Sequence, residues 1–195
     1  MKKVILPLLA VVALVAACVP SVNPFYTDKD VITDPRLAGT WLEDANKDHP
    51  TTWKFDTSTN SAYAVALTDD DGKTGSFEGH LFKLGAGLFL DLTPADCDFA
   101  TNQAGLVGVA MIPGHLLARV TLTQEKLIFA ICDPDWVKKF LEQNPSAVAH
   151  RVVDGNVILT AETDALQKFV LQHLGKGELF GDDTDYKRQP DAATK

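Results

Sequence analysis

The 195-residue sequence predicts a mainly β fold: an antiparallel meander forming a small barrel or strongly curved sheet, with two C-terminal helices packed on it. Three observations carry that prediction. Short runs alternate apolar and polar residues from Trp41 to Ile131, turn residues separate them, and two stretches near the end carry a helical apolar stripe.

The elements follow in order. Residues 18–36 read as an extended tether, with Pro20, Asn23-Pro24 and Asp34-Pro35 and few apolar residues in period; Phe25 and Tyr26 are available to dock on the body. Leu37–Leu42 opens the folded part. Trp53 and Phe55 alternate with Thr52 and Lys54, and Tyr63, Val65 and Leu67 follow. Asp69-Asp70-Asp71-Gly72 is a hairpin turn, its Asp-Gly pair suited to the positive φ of a type I′ turn. Residues 74–84 form the next strand, Gly85-Ala86-Gly87 turns it, and Leu88, Leu90 and Leu92 continue on one face. Residues 94–113 read as a long loop with one short strand near 106–111. Leu116, Ala118, Val120 and Leu122 alternate with Leu117, Arg119 and Thr121, and Gln124-Glu125 leads into Leu127–Ile131. About seven strands thus precede any helix, and a meander of that kind needs closure or a covering layer to remove its edges.

Asp133-Pro134 is an N-cap followed by proline at the first helical position, and Trp136, Val137, Phe140 and Leu141 make one stripe that Asn144-Pro145 ends. A second helix runs from an N-cap at Thr163 through Leu166, Phe169, Val170 and Leu174 to a C′ stop at Gly175. Between them Asp154-Gly155 turns another hairpin. The single β-rich domain is placed at residues 37–180. Residues 181–195, polar and without period, read as a disordered acidic tail.

The amino terminus indicates a location. Met1-Lys2-Lys3 is followed by an uncharged run from Val4 to Ala17 that closes as Val15-Ala16-Ala17-Cys18. A basic start, a short apolar stretch and small residues at the cut describe a secretory signal, residues 1–17. The run is shorter than the 20 or so residues of a spanning helix and is broken by Pro7. With cysteine directly after the small pair, it resembles the lipobox of bacterial lipoproteins. That resemblance implies a diacylglycerol on the Cys18 thiol, cleavage before Cys18 and acylation of the new amino terminus. Val19, where aspartate would favour the inner membrane, leans towards an outer-membrane anchor facing the periplasm.

Cleavage would remove Lys2 and Lys3 and no acid, leaving 178 residues with 16 basic and 26 acidic side chains, a formal charge of −10. The length suits one domain. No basic stripe for nucleic acid and no polybasic patch for anionic lipid is present. Besides Cys18 the cysteines are Cys97 and Cys132. In an oxidising compartment they suggest a disulfide, and two unrelated buried thiols are the alternative.

Leu37-x-Gly39-Thr40-Trp41 resembles the first-strand signature of the lipocalin and fatty-acid-binding superfamily. The resemblance implies a lipocalin-like eight-stranded barrel with Trp41 plugging its closed end and a basic residue from a late strand on the ring. Arg119 and Arg151 are the available arginines, and a plain core role for Trp41 is the alternative. Five dispersed histidines, including His80 and His115 on predicted strands, show no metal-ligand spacing, and Asp69–Gly72 lacks the spacing of a calcium loop. No Gly-x-Ser-x-Gly and no phosphate loop occurs, so no catalytic residue, metal or cofactor is assigned.

Two functions stay open. One is a non-catalytic module holding an apolar or amphiphilic small molecule, with Tyr63 on a strand of small residues and Arg119 as polar anchor if its phase faces inward. The other is a solid barrel whose outer face meets another envelope component. The inward row decides between them. Trp53, Phe55, Tyr63, Leu90, Val120 and Phe129 meeting at the axis leave no cavity, whereas Ala62, Ala64, Ala66, Gly79 and Ala118 in that row leave one.

Overall fold

A computed structural model describes residues 18–43, 48–58, 61–95, 113–175 and 178–190. Among the described residues there are ten strands, β1 (Gly39–Leu42), β2 (Thr52–Thr57), β3 (Tyr63–Thr68), β4 (Thr74–Leu84), β5 (Gly87–Pro94), β6 (Leu116–Leu122), β7 (Lys126–Ile131), β8 (His150–Val153), β9 (Asn156–Leu159) and β10 (Thr184–Arg188). Two helices, α1 (Pro134–Gln143) and α2 (Thr163–Leu174), flank the β8–β9 hairpin in sequence. Eight strands close an antiparallel barrel in the order β1-β10-β7-β6-β5-β4-β3-β2, and β8-β9 stands apart as a two-stranded ribbon.

The mainly β barrel with two helices is therefore as the sequence predicts. Its closure is not. Residues 181–195 read as a disordered tail, yet Thr184–Arg188 is the strand that joins β7 to β1, pairing Tyr186 with Leu127 and Arg188 with Trp41. A five-residue edge-to-edge strand with one buried side chain, Tyr186, has almost no hydrophobic periodicity to announce it.

Turn chemistry follows the glycines. The β3–β4 hairpin uses Gly72 alone at positive φ (77°), with Gly72 N–H bonded to Asp69 O and Asp69 N–H to Lys73 O. That is a turn with a glycine bulge in place of the expected type I′. The β8–β9 turn has positive φ at both Asp154 (49°) and Gly155 (82°), as an Asp-Gly type I′ turn requires.

Strand alternation builds two cores. Trp41, Trp53, Phe55, Tyr63, Leu81, Leu90, Val120, Leu127 and Phe129 point inward. The other phase (Phe82, Phe89, Leu117, Ala130) packs under α1, α2, β9 and the amino-terminal segment. This is why β5 is buried on both faces from Phe89 to Leu92. Asp133 caps α1 with its Oδ1, accepting from Asp135 and Trp136 N–H at 2.9 and 3.0 Å. Thr163, expected as the N-cap of α2, is its first residue and donates instead to Pro24 O at 2.8 Å, with Glu162 at the cap. Gly175 ends α2 in a right-handed conformation (φ −80°) that any residue could adopt.

The expected tether is part of the fold. Val19, Ser21 and Phe25 are buried, and Ser21 exchanges backbone hydrogen bonds with His115 at 2.9 and 2.8 Å. Pro20 O and Val22 N–H pair with Leu159. Proline and asparagine break helical and strand period, but they do not prevent single side chains from docking. The expected short strand near 106–111 lies outside the described residues.

Candidate functional site

The two barrel ends differ. At one, the chain crosses as residues 32–38 and buries Leu37 beneath Trp41, whose Nε1–H donates to Leu37 O at 2.9 Å. The Arg188 guanidinium lies 4.3 Å from the Trp41 ring centroid. It donates to the carbonyls of Ala38 (2.8 Å), Gln124 (2.9 Å) and Arg36. A cation over an indole face is attracted by the ring quadrupole, and here the ligating carbonyls hold it in place. The basic partner of Trp41 is thus Arg188, not Arg119 or Arg151. Gly39 has φ +126°, and a Cβ there would overlap Nη1 of Arg188, so glycine is required twice over.

Tyr63 belongs to this closed end. Its ring is buried, and its hydroxyl donates to Asp34 O at 3.0 Å and accepts from Asp34 N–H at 2.8 Å. With both roles filled, it strapped the crossing segment to the barrel and has no hydrogen bond left for orienting a ligand. Arg119 faces outward, pairing with Asp183 at 3.0 Å and lying 5.2 Å over the Phe180 ring. As a polar anchor inside the barrel it is excluded by strand phase.

Along the axis the six large residues of the inward row share one cluster. Trp53 stacks near Phe55 (6.1 Å) and meets Phe129 edge-on (5.3 Å), while Phe55 meets Tyr63 edge-on (6.3 Å). Ala64 and Ala66 fall in the outward phase. Gly79 is inward, but a Cβ there would stand 2.9 Å from Val65 Cγ2, so its missing side chain is already occupied by neighbours. Most of the barrel is filled.

The exception is the opposite, open end. Trp53, Leu92, Ala118, Phe129 and Tyr186 form the floor of a recess of about 250 Å³, with Ile131–Pro134, Gly181, Asp182 and Thr184 at its rim. Its walls are apolar, and Asp133 and Asp182 make the rim acidic. Burial pushes the Tyr186 phenol up, with the Trp53 indole N–H opposing. Among the described residues no acceptor meets hydrogen-bond geometry with that buried N–H. Only Ala118 and Leu92 of this floor are visible as small or aliphatic inward residues in the sequence. Tyr186 was hidden with the rest of β10.

A polar cluster missed by sequence reading lies on the outer wall. Asp91, fully buried, accepts Phe25 N–H at 2.9 Å on one oxygen and meets His115 Nδ1 at 2.8 Å on the other. His115 Nδ1 is also 3.0 Å from Thr93 Oγ1. An acid inside Leu88–Leu92 was the available signal. His80, the cross-strand neighbour of Asp91, stacks on Tyr26 at 4.6 Å. Among the described residues no group of three His, Cys, Asp or Glu side chains is placed to hold a metal ion. Asp91 has both oxygens engaged, and the cluster clasps the amino-terminal segment to β5 and β6.

Cys18 is partly exposed beside the start of α1 and the β8–β9 turn. Cys132 is a buried free thiol, pushed up to about 12 by burial first and then by Cys18 and Asp133. Cys97, its expected disulfide partner, lies outside the described residues. No described helix is long and apolar enough to cross a membrane. No family model, no curated protein and no solved structure matches the chain.

Proposed function

We propose that this is a lipid-anchored protein of the bacterial cell envelope, held through acylated Cys18, whose open-end recess binds one small apolar group. The observation that carries the binding reading is the recess itself: about 250 Å³ of apolar-walled space in an otherwise filled barrel. A dry cavity of about 150 Å³ accommodates a benzene-sized molecule, and typical ligand sites span about 300–1,000 Å³. The recess suits a ring system or a short alkyl segment, with the Trp53 N–H and the neighbouring Tyr186 hydroxyl as its polar groups, and is too small for a whole fatty acid.

The anchor reading rests on Val15-Ala16-Ala17-Cys18 after an uncharged run. Cys18→Ser should leave the protein unprocessed or soluble, and detergent partitioning like that of the wild type would overturn the anchor. For the recess, a series of ring and alkyl amphiphiles graded by size should raise the melting temperature by mass action. Small members should act and full-length fatty acids should not, and Ala118→Leu should remove the shift without lowering the unliganded midpoint by more than a few degrees. The filled axis supports a second reading, a solid barrel that meets another envelope protein with its outer face. No shift anywhere in the series would select it.

A further inference from the structure

We propose that the tip of the β8–β9 hairpin is a second membrane contact, and that Val152 and Val153 enter the lipid interface beside the anchor. The proposal rests on acylation of Cys18 and adds where the body then sits. Cys18 shares one shallow groove with Asp154, Gly155, Asn156 and Val157 of the hairpin and with Pro134 and Lys138 of α1. No slack separates anchor from body. Val19 is 2% exposed and Ser21 1%, and both Pro20 and Ser21 are backbone-bonded to β9 or to His115. Acyl chains leaving Cys18 must therefore enter the bilayer next to the hairpin.

The hairpin is built to meet them. Val152 and Val153 are 58% and 50% exposed, the most exposed large apolar side chains among the described residues. They lead into the tight Asp154-Gly155 turn of the ribbon, paired with Val157 and Asn156. In the groove itself Lys138 stands with Asp135 and Asp154, and Arg151 directly precedes Val152 on β8. Two valines bind a bilayer too weakly alone. Next to a covalent anchor their encounter is intramolecular, so a small gain suffices to fix orientation.

The test uses the full lipidated protein in vesicles of phosphatidylethanolamine and phosphatidylglycerol. A Cys97→Ser background leaves Cys18 blocked as a thioether and Cys132 buried. An environment-sensitive fluorophore is placed at Val153→Cys, at Val152→Cys as a second position, and at Asp71→Cys in the β3–β4 turn. Lipid-borne quencher should reduce emission at 153 and 152 several-fold more than at 71. Equal quenching at all three sites in protein that floats with the vesicles overturns the hairpin contact while leaving acylation intact. Protein that carries no acyl mass and does not float overturns the anchor reading instead. Shielding of 153 in whole envelopes but not in purified vesicles assigns the hairpin to a protein partner and also overturns the proposal.

Discussion

Arg188 does more than any other single side chain to hold the barrel's closed end. It stacks on Trp41 and donates to three carbonyls from two segments, Arg36 and Ala38 of the crossing chain and Gln124 of the β6–β7 turn. Arg188→Met keeps the length and removes every donor, leaving acceptors at Ala38 and Gln124 that only water can satisfy. By the usual worth of charge-assisted bonds and an exposed cation–π pair, the loss should be about 2–4 kcal/mol, read as a fall in the denaturation midpoint. Arg188→Lys should recover little, because one ammonium nitrogen cannot reach carbonyls that Nε, Nη1 and Nη2 meet separately. Gly39→Ala should cost a similar amount by placing a methyl where Nη1 lies and forcing an alanine to φ +126°. At Cys132 the high thiol pKa and full burial predict that native protein resists alkylation at pH 8 and becomes reactive only on unfolding. Rapid native labelling, followed by mass, would contradict the packing described for β7 and α1.

Among the elements, the amino-terminal segment is held by the least redundant contacts. Asp30 accepts Thr27 N–H and Oγ1–H and Gln167 Nε2–H at 2.7–2.9 Å, tying the segment to α2. Burial pushes its carboxyl up, but those hydrogen bonds outweigh it and hold the group below its ordinary value of 3.8. A depressed folded pKa means the contribution is complete above that ordinary value and is lost as pH falls through the lower folded one. Backbone amides of residues 19–32 should therefore lose hydrogen-exchange protection below about pH 4, ahead of the barrel strands. Asp30→Asn should remove that acid-sensitive step. Asp91→Ala is the harsher change, because Phe25 N–H and His115 Nδ1 both lose a buried partner, and should cost about 2–4 kcal/mol.

For the whole molecule, legibility followed periodicity. Strands β2 to β7 and helix α1 alternate or repeat strongly enough that their bounds fall within a residue or two of the expected ones. Residues 18–36 and β10 have no period, so neither the docked segment nor the closing strand was visible, and Arg188 was missed with it. Strand phase was the second limit: Arg119 is an anchor only if its phase faces inward, and the register puts Leu116, Ala118 and Val120 inside instead. The recess arises where inward residues of β2, β5, β6, β7 and β10 meet Cys132–Pro134 and Gly181-Asp182, a tertiary event that no local pattern encodes. Closure by β10 also has a consequence for timing. Arg188 and Ala38, which meet at the seam, are 150 residues apart in the chain. Strands β1 to β7 can pair with their sequence neighbours as they appear, but the sheet keeps two open edges until Thr184–Arg188 arrives. Seam formation is the non-local and therefore slow step. The cylinder therefore cannot lock until the chain as far as Arg188 is free to fold, and every process that needs an open or unfolded chain has until then to act on it.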